Sequence, residues 1–349
     1  MKTEAIVLRQ HGGPDVLHRE TIDLREPAAR EVRLRVRAVA LNHLDVWVRR
    51  GLPNLRLTYP HCLGSDVVGE IDALGPGARG AAVGDRVVVS PGVSCGVCER
   101  CLSGEDTMCA QYGILGEDLS GGYARHMVVP DTNLLPYPGD LPFTQVAAVP
   151  LVFLTAWQMV VTKARVQPGE TVLIHAAGSG VSSAAIQIAK LYGARVIATA
   201  STEAKALRAL SLGADEAIDY VARDFVAEVK RLTAKRGADV VIDHVGGEVL
   251  AKSVVAAARG GRIVTCGATA GFHPPIDLRH VFFRQIAILG STMGSKGLLF
   301  GILEKVRTGV LRPVVDRVLP LWEAREAHRV LEAREAFGKV VLEVDSGSG

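Results

Sequence analysis

Thr171-Val172-Leu173-Ile174-His175-Ala176-Ala177-Gly178-Ser179-Gly180-Val181-Ser182-Ser183-Ala184 is the stretch on which the fold turns. Thr171–His175 reads as a strand. The small residues that follow have the form G-x-G-x-x-S, and a helical run continues to Leu191. A glycine pattern alone is weak, but strand, turn and helix in this order give it a context. Gly178 makes the turn, and Gly180 lets the backbone approach a pyrophosphate placed on the helix N-terminus, beside Ser179 and Val181. Ser183 stands where the third small residue packs helix on strand.

Downstream the alternation persists. Strand Arg195–Thr199, helix Glu203–Leu212, strand Glu216–Ile218 and helix Asp224–Ala234 come first. Strand Asp239–Asp243, helix Val249–Ala258 and strands Arg262–Cys266 and Ile286–Leu289 follow. Such a series predicts a doubly wound parallel sheet covered by helices on both faces, an α/β fold. The second strand ends Thr199-Ala200-Ser201-Thr202 with no carboxylate at its tip, where an NAD enzyme places one for the ribose. Ser201 can bond a 2′-phosphate, Lys205 can supply charge, and Arg208 lies one turn on. The expected cofactor is therefore NADP(H) rather than NAD(H). Glu203, at a helix start, complements the dipole.

Upstream, the pattern is different. Glu31–Ala38 alternates, with Val32, Leu34, Val36 and Ala38 on one face and Arg33, Arg35 and Arg37 on the other, a half-buried strand. Short strands at Val67–Ile71 and Arg86–Val89 are separated by Gly75-Pro76-Gly77 and Gly84-Asp85, which suits a small barrel or sandwich. Pro142–Lys163 reads as helical, with Val146, Val149, Phe153 and Trp157 on one face. The C-terminal part returns to a helix, Leu298–Thr308, and a βαβ stretch ending at Val344. Asp345–Gly349 reads as a flexible tail.

Four of the six cysteines are clustered: Cys95, Cys98, Cys101 and Cys109, spaced C-x2-C-x2-C-x7-C. Gly92, Gly96 and Gly104 allow tight turns. Four thiolates suit one tetrahedral zinc with no open position, a structural site. Two disulfides, unligated thiols or an iron–sulfur cluster are the rivals. The short ferredoxin run needs a closer fourth cysteine followed by proline, and Ala110 follows Cys109.

Composition bounds the rest. With 349 residues, two domains are expected. A 48% hydrophobic fraction provides a core and excludes wholesale disorder. The net charge of +3 is too small to argue for nucleic acid or an anionic membrane. No run of about 18 uncharged apolar residues predicts a transmembrane helix. Met1-Lys2-Thr3-Glu4 begins no signal peptide, so a cytoplasmic protein is expected.

Together these motifs resemble the medium-chain dehydrogenase/reductase superfamily, the zinc alcohol dehydrogenase and quinone oxidoreductase group. The cysteine lobe, Gly64–Gly69, the glycine turn and Gly338-Lys339 fall in family order. The resemblance implies a Rossmann domain inserted in a GroES-like, β-rich domain, with the active site in the cleft. The expected boundaries are 1–150 for the GroES-like part, with its zinc lobe at about 91–112, 151–290 for the nucleotide-binding part, and 291–349 for the return. Homodimers or homotetramers are implied too, often paired through the last Rossmann strand, Ile286–Gly290. By family position Thr155, Val245-Gly246 and Gly267-Ala268 border the nicotinamide, and Lys339 reaches the cofactor or the cleft.

The departures carry the functional argument. Zinc-dependent members have Cys at the position of Asn42, Gly-His-Glu at Gly64-Ser65-Asp66, and Cys at the position of Leu151. Their proton-relay hydroxyl maps to Leu44. Asn42, Ser65 and Leu151 make no zinc site of the ordinary type, and Asn42 is similar to the zinc-free quinone oxidoreductase branch. A displaced zinc would have to draw on His43, Asp45, His61, Cys62 or Asp66; His61 and Cys62, adjacent on a strand, would face opposite ways. The expected chemistry is hydride transfer to a small carbonyl substrate, a quinone or an α,β-unsaturated carbonyl. Asn42 would be the oxyanion donor, His43 a candidate proton donor (or a histidine with no role), and Asp45 would order the Asn42 loop. The alternatives are a zinc alcohol dehydrogenase with displaced ligands and a non-catalytic NADP-binding protein.

Overall fold

The computed structural model describes residues 1–53 and 55–344. The tail expected at Asp345–Gly349 lies outside the described residues. The chain divides into two compact units, Met1–Leu151 with Ser295–Gly349, and Val152–Gly294.

The second unit contains a six-stranded, all-parallel sheet. In spatial order its strands are Glu216–Asp219, Arg195–Ala200, Thr171–Ile174, Ala238–Asp243, Ala257–Thr265 and Ala287–Gly290. In chain order this is 3-2-1-4-5-6, the doubly wound arrangement anticipated from the alternation. The central strands are apolar throughout, because helices cover both faces. Val172, Leu173, Ile174, Val240, Val241 and Ile242 have no exposure. The helices fall close to the expected spans, at Gly180–Leu191, Glu203–Ser211, Phe225–Leu232 and Gly247–Ala256. One helix, Leu278–Arg284, has no counterpart in the sequence reading. Its Leu278, Phe282 and Phe283 are all largely exposed, so no amphipathic period marks it. It is started by the Asp277 carboxylate, which accepts from Arg279 N.

The first unit is β-rich. Its principal sheet runs Leu134–Pro136, Arg86–Val89, Asp66–Leu74, Glu31–Ala40, Lys339–Glu343 and Val315–Pro320, with His126–Pro130 also paired to Glu31–Ala40. The alternation of the long strand holds: Val32, Leu34, Val36 and Ala38 are buried. Arg33 and Arg37 pair across it with Asp72 and Glu70. The helical run expected over Pro142–Lys163 is divided. Phe143–Ala147 stops ahead of Pro150, which starts a second helix to Trp157, and a wider π turn occupies Gln158–Lys163. Proline lacks the N–H that a continuous helix needs, and it restricts the residue before it.

Candidate active site

Three adjacent antiparallel strands bring distant residues together. Ala40 is in register with Asp66 on one side and with Val341 on the other. Asn42 lies two residues beyond Ala40, and Lys339 two residues before Val341. The result is a buried triad. Lys339 Nζ donates to Asn42 Oδ1 at 2.6 Å and to Asp66 Oδ2 at 2.8 Å. Asn42 Nδ2 donates to the same Asp66 oxygen at 2.9 Å. Asp66 Oδ1 accepts the Leu151 N–H at 2.6 Å. Asn42, Asp66 and Lys339 are all buried.

Asp45 holds the Asn42 loop. It is the third residue of the helix His43–Arg50, and its carboxylate accepts Asn42 N at 2.7 Å and Gly64 N at 2.8 Å. Complete burial pushes its carboxyl up to about 6, opposed by those two N–H groups and by the Lys339 charge. His43 is half-buried and stands edge-on to Trp47, with ring centroids 6.0 Å apart. Leu44 packs against the apolar core.

Asn42, Ser65, Asp66 and Leu151, which the resemblance sets at zinc-ligand positions, do not fit a zinc site of the ordinary type. Asn42 presents an amide already bonded at both ends, and Leu151 an alkyl chain. Ser65 Oγ is buried without a hydrogen-bond partner. The one carboxylate, Asp66, is spent on an ammonium, an amide and a backbone N–H. His61 and Cys62 form a short strand and are both buried. His61 Nε2 donates to Gly116 O at 3.3 Å. Cys62 packs with Ala5, Val7 and Ala124, and burial raises its thiol to about 11.

The cysteine lobe does fit a metal. Among the described residues, Cys95, Cys98, Cys101 and Cys109 form the one group of three or more His, Cys, Asp or Glu side chains gathered for an ion, their sulfurs lying within 4.8 Å of one another. Cys98 and Cys101 Sγ are 3.5 Å apart, and Cys95 and Cys101 Sγ are 3.9 Å apart. A tetrahedron with Zn–S bonds of about 2.3 Å has sulfur–sulfur edges of about 3.8 Å. Gly96 and Gly104 take positive φ, 75° and 78°, which closes the loop on itself. The N–H groups of Val97 and Cys98 hold the Cys95 thiol down at about 6, toward the thiolate that a metal needs.

In the second unit, the glycine turn leaves backbone donors that could hold an anion. Ser179 caps the helix, its Oγ accepting Ser182 N at 3.0 Å. Gly178, Ser179, Gly180 and Val181 are partly exposed. The backbone N–H groups of Gly180 and Val181 have no acceptor among the described residues. Two outward donors at a helix N-terminus fit a dinucleotide's diphosphate. His244 braces the turn, with Nε2 2.9 Å from Ser179 Oγ and 2.8 Å from Ser182 Oγ. Ser201 and Lys205 flank the Thr202 cap of the next helix, and Thr202 Oγ1 accepts Lys205 N at 3.2 Å. Thr155 is buried with its hydroxyl unpartnered. Val245 N and Gly246 N bond Asp243 Oδ1 at 2.8 and 2.9 Å. The Thr265 hydroxyl donates to Gly267 O at 3.1 Å, and Ala268 O accepts Gly271 N at 3.2 Å.

Two of these arrangements have no signal in the local sequence. One is the Lys339 ammonium, bonded to Asn42 and Asp66. A second buried network joins Arg49, His328 and Tyr123. Arg49 Nη1 donates to His328 Nδ1 at 3.0 Å, which leaves Nε2 to donate to Tyr123 Oη at 3.2 Å. No local pattern announces either one, because the partners are hundreds of residues apart.

Comparison with known proteins agrees with this fold. Residues 28–139 match the alcohol dehydrogenase GroES-like domain, and residues 180–307 match the zinc-binding dehydrogenase family. A crystal structure of an NAD-dependent alcohol dehydrogenase superposes with a TM-score of 0.95 at 55% identity, covering 98% of this chain and 100% of that one. The chain belongs to the medium-chain dehydrogenase/reductase superfamily. It is an oxidoreductase with the α/β architecture of that superfamily. The quinone oxidoreductase of Homo sapiens is 28% identical, with 97% of each chain covered. The 2-haloacrylate reductase of a Burkholderia species is 29% identical, covering 97% of this chain and 98% of its own. Among the described residues, no helix of this oxidoreductase is long and apolar enough to cross a membrane.

Proposed function

We propose that this enzyme uses NADP(H) to reduce a quinone or an α,β-unsaturated carbonyl, with no metal at the reacting centre and one structural zinc in the cysteine lobe. The observation that carries the reading is the buried Asn42–Asp66–Lys339 triad, in which Asn42 stands at a position where the resemblance implies a zinc ligand. Bound dinucleotide supplies the hydride. The protein's part is to hold the negative charge that develops on the substrate oxygen. The Asn42 amide N–H is the donor for that oxygen. His43, on the next residue, is the proton donor. Thr155, Val245, Gly246, Gly267 and Ala268 border the nicotinamide, and Gly178 to Val181 hold the diphosphate. Ser201 and Lys205, with no acid at the strand tip, favour the 2′-phosphate.

Hydride addition to the far carbon of an enone gives an enolate, which a few hydrogen-bond donors can stabilise. A simple aldehyde demands more polarisation. The names of two relatives support the reading, quinone oxidoreductase and 2-haloacrylate reductase, the latter acting by its name on an α,β-unsaturated acid. The name of the 55% identical structure favours a second reading, alcohol and aldehyde interconversion with NAD(H). Steady-state turnover on quinones, enones and aldehydes, with each nicotinamide and with zinc counted per chain, separates them. Quinone or enone reduction with NADPH and one zinc is expected. Aldehyde turnover abolished by a chelator and restored by zinc would replace this reading with the second.

We also propose that the edge strand Ala287–Gly290 pairs with a second copy in a homodimer or homotetramer. It ends the parallel sheet, and the neighbouring Phe282 and Phe283 are 59% and 65% exposed. A monomeric mass in solution would contradict this assembly. The protein is expected to work in the cytoplasm.

A further inference from the structure

We propose that Lys339 and Asp66 are positioning residues which fix the direction of the Asn42 amide, so that Nδ2 rather than Oδ1 is presented to substrate. The proposal rests on the reading of Asn42 as the oxyanion donor. A carboxamide has two ends of similar shape and opposite hydrogen-bonding sense, so its partners decide which way it points. An ammonium only donates, and an ionised carboxylate only accepts. The atom 2.6 Å from Lys339 Nζ is therefore the oxygen, and the atom 2.9 Å from Asp66 Oδ2 is the nitrogen. Turning the amide over would set N–H against the ammonium and oxygen against the carboxylate.

Each partner is itself held. Asp66 cannot swing, because its other oxygen accepts Leu151 N at 2.6 Å. The Lys339 backbone N–H donates to Val314 O at 2.8 Å, and the residues just beyond it pair with the strand that leads to Asn42. Asp66 is 0% exposed, Lys339 4% and Asn42 6%, so water does not compete for the charges. One Nδ2 hydrogen is engaged by Asp66, and the second has no acceptor among the described residues. The ammonium on Oδ1 polarises the amide and makes that second N–H a stronger donor. Lys339 thus acts through Asn42.

The test is steady-state kinetics of Asn42→Ala, Lys339→Met and the double variant, with NADPH affinity measured separately by fluorescence. The substrate is whichever of a panel of quinones, enones and aldehydes the wild type reduces fastest. Lys339→Met should lose ~100-fold in kcat, as removal of an oxyanion donor does. KM for the carbonyl substrate and the NADPH Kd should each stay within about twofold, and the double variant should be no slower than Asn42→Ala. Full kcat in Lys339→Met would overturn the proposal. So would losses that multiply in the double variant, or a weakened NADPH Kd with kcat intact at saturation. Should Lys339→Met leave Asp66 unpaired and fail to fold, Asp66→Asn/Lys339→Met removes both charges and should show the same fall in kcat. A wild type active on simple aldehydes alone ends the quinone and enone reading, and the Lys339 comparison is then decided on the aldehyde. A wild type inactive on the whole panel overturns both.

Discussion

Lys339 Nζ lies 2.8 Å from Asp66 Oδ2, although 273 positions separate the two residues. Both are almost wholly withdrawn from water. Such a pair gains little over two apolar residues, but losing one partner strands the other charge, at a cost of about 3–5 kcal/mol. Asp66→Ala should therefore unfold at markedly lower denaturant than wild type, and Asp66→Leu/Lys339→Met should recover most of the loss. A single variant as stable as wild type by urea titration would contradict the burial of this pair.

Cys101→Ser should reduce bound zinc from one to none per chain, measured by elemental analysis. Unfolding free energy should fall by at least ~3 kcal/mol, a part of what a structural zinc contributes in small domains. Cys62→Ser and Cys266→Ser should leave the zinc content unchanged, since neither belongs to the converging group.

Lys205→Ala tests cofactor choice. Loss of a charge-assisted bond to a 2′-phosphate costs about 1.5–3 kcal/mol, or roughly 10–100-fold in NADPH Kd. NADH binding should change less than about twofold. Equal weakening of both would remove the assignment.

Asp45 gives stability a slope with pH. Its folded carboxyl holds a proton up to about 6, against an ordinary value of 3.8. Between these values the folded state binds more proton at this carboxyl than the unfolded, so the Asp45 contribution to stability falls as pH rises from 4 to 6. Asp45→Asn should remove that contribution and leave stability rising more steeply with pH over this window. It should also lower stability at pH 7 by about 1–3 kcal/mol, because an amide N–H would face the N–H of Asn42 or Gly64. Denaturant titrations at pH 4, 5, 6 and 7 provide the comparison.

His328 acts in the opposite sense. Burial and the Arg49 charge push its imidazole down to about 3. Below the ordinary 6.5 the unfolded chain gains a proton that the folded chain refuses, so stability falls as pH drops from 6.5 toward 3. Circular dichroism should show a shallower acid decline for His328→Gln, from a starting stability lower by about 1–2 kcal/mol.

Much of this protein was legible in its residues. Thr171 to Ala184 carries a strand, a turn and a helix start in consecutive positions, and the period of the following segments fixes the parallel sheet. The four cysteines lie within 15 residues, so their spacing alone implied convergence. Local short-range geometry governs both. Leu278–Arg284 escaped because its apolar side chains face solvent and leave no period to read. The break at Pro150 was present in the sequence and was overridden by the apolar run around it.

By itself the sequence determined the two folding patterns and the gathering of four thiols. Those properties depend on residue type and on neighbours within a few turns of chain. The tertiary structure decided what surrounds Asn42. Ala40, Asp66 and Val341 share a register across three strands, and that register sets the Lys339 ammonium between an amide and a carboxylate. No local rule encodes it: the partners meet only when strands from opposite ends of the chain pair, and charge inside so dry a place is tolerated only beside its opposite.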